Sequence, residues 1–234
     1  SSSPIIQNEL INRNSPSSQA NAARSKLLNG LLNNQGKKDL SIDKFPAEKS
    51  IYRSLLRETG LHFEISPGKW KLAELSELDK SSKYNFYPVW QKIDSFIKST
   101  EKQPKSFIEL SEELLAPPFG IKLGVLPILY AVAILTYIEK LAVTEEGVYI
   151  PYFSKVNIDR FFKRPDLFMI QSIDLGGVNQ SIIRQYSKAL FTDNKEKTML
   201  EIVKPIAKFI DDEIPEYTKQ TKSGLTQSTR AVRD

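Results

Sequence analysis

Apolar side chains recur along this chain mostly at three- and four-residue spacing, and that period predicts a mostly helical protein. Ser3 can cap a first helix with Pro4 at its first position before Ile5, Ile6, Leu10 and Ile11. Ser17 or Ser18 caps a second over Ala20 to Asn33, stopped by Gly36. Pro46 and Glu48 open a third, with Ile51, Tyr52, Leu55 and Leu56 on one face and Gly60 placed for a left-handed cap. The period then changes to two. Leu61, Phe63 and Ile65 alternate with polar positions, Ser66-Pro67-Gly68 turns the chain, and Trp70 and Leu72 alternate on the way back, predicting a short hairpin.

The polar stretch Glu74 to Lys83 lacks apolar periodicity and predicts a domain joint near residue 80, dividing residues 1–80 from 81–234. Val89, Trp90, Ile93, Phe96 and Ile97 mark the next helix, and Ser106 with Glu109 forms a capping-box pattern for one ending at Leu115. Pro117-Pro118-Phe119-Gly120 separates it from the apolar run Leu123 to Ile138, which contains Pro127 and is too short to span a bilayer. A second hairpin follows, Leu141 to Thr144 and Val148 to Pro151 around Glu145-Glu146-Gly147. Helix, turn, helix, hairpin is the order of a winged helix. Beyond it the pattern predicts a helix over Asn157 to Lys163 stopped by Pro165 and a strand over Leu167 to Leu175, able to pair with the wing and ended by Gly176-Gly177. Helices over Gln180 to Leu190 and Glu196 to Ile210, the latter striped by Met199, Val203, Ala207 and Ile210, and a last one from Thr226 complete the pattern. The fold class is α+β, mostly α: a helical unit with a small β-hairpin, then a winged-helix-like unit with trailing helices.

Composition removes several chemistries. Without cysteine there is no disulfide, thiolate nucleophile or zinc ribbon, which fits a reducing cytoplasmic setting. The single histidine, His62, falls in a strand and reads as a satisfied structural residue. No GxxxxGK phosphate loop, GxGxxG turn, HExxH helix or calcium loop occurs, so no cofactor is expected. The adjacent acids Glu112-Glu113, Glu145-Glu146 and Asp211-Asp212 diverge by about 100° on a helix or face water in a turn, and predict no catalytic pair. Gly176-Gly177 lacks a neighbouring lysine and reads as a tight turn. An effector nuclease or hydrolase would need an acidic metal cluster that the spacing does not offer, and the chain is expected not to be an enzyme.

The net charge of +5 lies wholly in residues 1–100, with 15 Lys and Arg against 10 Asp and Glu; the remainder balances at 18 against 18. Lys37, Lys38, Lys69 and Lys71 are the candidate nucleic-acid contacts in that half. A groove-reading helix must present polar and basic side chains. The second helix of the winged-helix order instead carries Val125, Leu126, Ile128, Leu129, Val132, Ile134, Leu135 and Ile138 on nearly every face, and predicts a packed core helix. Arg13 and Arg24, near the ends of the first two predicted helices, are candidates for sensing a nucleotide in a neighbouring site.

The runs PIIQNELINR at 4–13, AEKSIYRSLLRETGLH at 47–62 and APPFGIKLGVLPILYAVAIL at 116–135 resemble a region of very large bacterial P-loop ATPases of the type found in anti-phage defence islands. VTEEGVYIP at 143–151, FFKRPDLF at 161–168 and STRAVRD at 228–234 continue the likeness over almost the whole chain. The resemblance implies that the chain lies downstream of an ATPase core it does not contain, that STRAVRD begins a helix, and that the partner is the rest of that polypeptide or another protein. The expected role is a non-catalytic scaffold or regulatory interaction module. The alternative is a winged-helix DNA-binding module with phosphate contacts from the basic half. Neither involves a membrane.

Overall fold

In the computed structural model, residues 3–173 and 199–212 are described, and they contain seven α-helices and two small antiparallel sheets. The fold is α+β and mostly α, as the periodicity predicts. Helix α1 (Ser18–Asn34) begins where the Ser17 hydroxyl accepts from the Ala20 N–H, and it buries Ala20, Ala23, Leu27, Leu28 and Leu31. Helix α2 (Ala47–Tyr52) runs on into a π turn over Arg53–Arg57, closed by the Glu58 N–H donating to the Arg53 carbonyl at 2.9 Å. Gly60, at φ +83°, takes the left-handed conformation expected of the residue that ends it.

The first expected helix does not form. Residues 3–17 hold no helix; the Asn8 side chain accepts from the Leu10 N–H, making a local turn, and the Ile5 N–H donates to the Tyr84 carbonyl. A short polar side chain bonding the backbone two residues on competes directly with the helical pattern. Ile6 and Ile11 are still buried, so the apolar positions reach the core without helical geometry.

Strands β1 (His62–Ser66) and β2 (Lys69–Leu72) form the predicted hairpin, with His62 opposite Leu72 and a register shift between Glu64 and Ser66. The joint expected near residue 80 is not where the chain divides. Residues 1–174 form one compact unit, and a single apolar core runs through both sides of the polar stretch, from Leu56 and Leu72 to Trp90 and Leu129. Trp90 ties the stretch down by donating its indole N–H to the Ala73 carbonyl at 3.1 Å. Glu74 to Lys83 is thus a polar connection over a continuous core.

Helices α3 (Tyr87–Ser99), α4 (Ile108–Leu115) and α5 (Leu126–Thr136) follow, and α5 is the centre of the unit. Its Leu126, Ile128, Leu129, Tyr130, Ala131, Val132, Ala133 and Ile134 are all buried, so it has neighbours on every side. Helices α1 and α6 (Lys155–Lys163) and strand β2 all pack on it. Tyr130 stacks on Phe107 at 4.6 Å and shares a 3.0 Å hydrogen bond with Ser111 of α4. Just past α5, the Tyr137 hydroxyl donates to Asp94 of α3 at 2.9 Å, and that carboxylate also meets Lys98 at 2.7 Å.

The second hairpin is present as β3 (Leu141–Glu145) and β4 (Val148–Tyr149), and β5 (Phe168–Ser172) pairs antiparallel with the other edge of β3, giving the order β4-β3-β5. Lys105, just before α4, bridges Ile170 of β5 through two backbone bonds of 3.0 and 2.8 Å. Phe153, Phe161 and Phe168 meet edge to face between α6 and the sheet. Helix α7 (Met199–Asp212) belongs to a second unit, residues 175–234. Leu200 and Ile202 are its buried positions, and Val203 and Ala207 of the expected stripe are half-buried. Gly176-Gly177, the helix over 180–190 and the last helix from Thr226 lie outside the described residues.

Among the described glycines, Gly124, at the entry to α5, is the one most closely approached by other backbone. A Cβ there would stand 2.3 Å from the Ile11 carbonyl oxygen, whereas one at Gly30 in α1 would meet nothing closer than Leu40 Cβ at 3.5 Å. Gly124→Ala is therefore expected to destabilise by about 2 kcal/mol or more through the forced backbone shift. Gly30→Ala is expected to be neutral or to stabilise by up to about 1 kcal/mol through helix propensity. Urea unfolding of the two variants beside the parent checks both signs.

Candidate functional site

One backbone hydrogen bond organises the basic half of the chain. The Trp70 N–H donates to the Gly36 carbonyl at 3.2 Å, laying the segment that leaves α1 beside β2. Lys37 and Lys38 follow Gly36 and Lys69 precedes Trp70, so three of the four candidate lysines share one surface, and all three are exposed. Lys71 faces the same way but is engaged: its ammonium meets Glu77 at 2.6 Å and sits 5.8 Å from the ring of Phe63, its cross-strand partner. Arg57 of the π turn joins the surface, bonded to Asp39 at 2.9 Å with its guanidinium 5.8 Å from the Trp70 ring.

Beneath this surface lies His62, 1% exposed and bonded through both ring nitrogens. Nε2 donates to the Gln35 carbonyl at 2.7 Å, since a carbonyl only accepts, and Nδ1 therefore accepts from the Tyr52 hydroxyl at 2.8 Å. The ring also packs against Trp70 at 5.2 Å. It is the satisfied structural histidine that its strand position predicts, and it joins the end of α1, α2 and the hairpin. Burial pushes its pKa below the ordinary value of 6.5, against smaller opposing effects of the Gln35 bond and Asp39. Burial likewise raises the Tyr52 hydroxyl.

The two candidate arginines converge on Gly124 instead. The Arg13 side chain is exposed, while its carbonyl accepts from the Gly124 N–H at 3.0 Å. Arg24 is turned inward: it donates to the Gly124 carbonyl at 3.0 Å and to Asn21 Oδ1 at 2.5 Å, and lies 5.2 Å over the Phe162 ring. Burial lowers its pKa from the ordinary guanidinium value. Reaching a neighbouring nucleotide would cost Arg24 all three contacts, of which those to Gly124 and Phe162 lock α1 to the entry of α5 and to α6.

At the far side, the Glu145-Glu146 turn does not simply face water. Arg160 of α6 lies 2.5 Å from Glu145 and 3.6 Å from Glu146, and Glu145 is largely covered, at 11% side-chain exposure. This clamp holds the hairpin turn against α6. Around it stand apolar side chains that periodicity did not single out: Val148, Tyr152 and Val156, exposed by 69%, 48% and 66%. Val148 is opposite Glu145 in register, and Val156 is one helical turn before Arg160. Phe45, 81% exposed, was equally unmarked. Its signal in the sequence is an aromatic residue between Lys44 and Pro46 that belongs to no apolar stripe.

Of the other acid pairs, Glu113 is bonded to Lys92. Among the described residues no group of three His, Cys, Asp or Glu is placed to hold a metal ion, and no helix is long and apolar enough to cross a membrane. A scan against protein-family models and searches of curated proteins and solved structures find no match.

Because the His62 pKa is lowered on folding, the unfolded chain binds its proton more readily. The stability that His62 contributes is complete above 6.5, begins to fall there, and is lost as pH drops on through the lower folded-state value. With only one histidine in the chain, its ring C–H signals in a proton NMR titration report this directly. The expected midpoint in the folded protein lies below 6.5, and the urea midpoint is expected to fall over the same range; a folded-state midpoint above it would reverse the sign.

Proposed function

We propose that the chain is a non-catalytic scaffold or regulatory interaction module, working in the cytoplasm as part of a larger bacterial ATPase. The observation that carries this reading is the exposed apolar strip Val148, Tyr152 and Val156 around the Arg160 clamp. A partly apolar surface with an ion pair at its centre suits protein docking. The resemblance to defence-island ATPases supplies the larger polypeptide as the partner. The rival reading, a winged-helix DNA-binding module, keeps its element order, but α5 is buried all round and has no face to lay in a major groove.

The test is a calorimetric titration of the chain into the separately expressed ATPase portion. The parent chain is expected to bind, and the Val148→Asp/Val156→Asp variant to bind at least about tenfold more weakly, the loss of about 1.4 kcal/mol expected when a docking contact is made polar. Absence of binding by the parent, or ATP hydrolysis by the purified chain alone, would overturn the reading.

A further inference from the structure

We infer that the surface around the Gly36–Trp70 junction is a binding site for single-stranded nucleic acid, with Lys37, Lys38 and Lys69 on the phosphates and Phe45 as a base-stacking platform. This does not depend on the docking role of the Val148 strip, which lies on other elements.

The charge argument comes first. Lys37, Lys38 and Lys69 are exposed cations brought together by a backbone bond between distant segments, and none of them forms an ion pair among the described residues. Two acids stand near them: Asp39 is already matched by Arg57 at 2.9 Å and Lys49 at 3.4 Å, and the exposed Glu64 accepts from the Gly68 N–H at 2.7 Å, leaving three lysines against one carboxylate. The surface therefore presents a net positive charge to a polyanion.

The aromatic argument selects the strand state. Phe45 is held out of the core by backbone geometry: Lys44 before it has φ +55°, and Pro46 after it restricts it to extended conformations. A Phe that is 81% exposed is available to a flat apolar partner. It is linked to the lysine surface by a run of contacts. Lys49 lies 5.4 Å from its ring and bonds Asp39, Asp39 bonds Arg57, and Arg57 lies over Trp70. Cations alternating with aromatic rings are the composition of a surface that grips a backbone while stacking unpaired bases. In a duplex the bases are already stacked and offer Phe45 nothing, and α5 has no free face for a groove.

Fluorescence anisotropy of the full chain with a labelled oligothymidylate, and with a duplex of equal length, at about 50 and about 200 mM salt tests this. Three phosphate contacts predict a slope of log K against log salt near about −2 for the single strand. Lys37→Glu/Lys38→Glu/Lys69→Glu is expected to lower affinity more than about tenfold and flatten that slope. Phe45→Ala is expected to lower affinity about tenfold with the slope unchanged. Lys155→Glu on α6 is the charge control and should leave binding intact. Circular dichroism and urea midpoints confirm that each variant is folded. Three outcomes overturn the inference: a folded triple variant that binds like the parent, a duplex bound as tightly as the single strand, or displacement of the oligonucleotide by polyglutamate, which would make the ligand an acidic peptide.

Discussion

The unit formed by residues 1–174 depends on a helix with no outside. Eight buried side chains on α5 leave it no solvent-facing stripe, so its stability comes from what surrounds it, at about 1.5–3 kcal/mol for each large side chain fully buried. Its neighbours arrive from far along the sequence: α1 from the amino-terminal side, β2 from the hairpin, α6 from beyond the sheet. The polar anchors at its two ends follow from the same need. Arg24 holds the entry through the Gly124 carbonyl, and Tyr137 holds the exit through Asp94. A helix of this kind is spent on architecture, and whatever binding the unit does must occur on the elements arranged about it.

Those elements offer two surfaces of different chemistry. His62 assembles one of them, since its two ring nitrogens and its face join the end of α1, α2 and the hairpin in one buried knot. The lysines above that knot are fixed in place by the same joining. The other surface depends on Arg160, which draws an otherwise exposed turn onto α6 and leaves Val148 and Val156 displayed beside it. In both cases a charged or polar group inside the structure decides what is shown outside.

The helices and hairpins of residues 17–72 and 87–172 were legible because their apolar positions carry a clean period of three to four or of two. The amino-terminal segment was not, because Asn8 closes a local turn that periodicity cannot weigh against a helix. The joint near residue 80 failed for a related reason: lost periodicity marks an exposed connection, and only the packing of Trp90 and Leu129 with Leu56 and Leu72 shows that the core passes beneath it. For the sites, residue types were readable but meetings were not. Lys37 with Lys38 and Lys69 with Lys71 are visible as pairs, yet their union rests on the bond between Gly36 and Trp70. Arg24 looked like a free helix-end arginine because nothing local announces Gly124 as its partner.

Asp39, Leu40 and Ser41 all sit at positive φ, between 51° and 56°, a left-handed turn made without a single glycine. Each such residue costs of order 1–2 kcal/mol of backbone energy. Asp39 offsets it by bonding Arg57 and Lys49, and Leu40 by burying its side chain at 1% exposure. Ser41 is exposed, and no side-chain bond ties it to the other described residues. Mutational tolerance along these three neighbours is therefore uneven: glycine relaxes the backbone at Ser41 at no cost in contacts, whereas at Asp39 it frees two cations and at Leu40 it empties a place in the core.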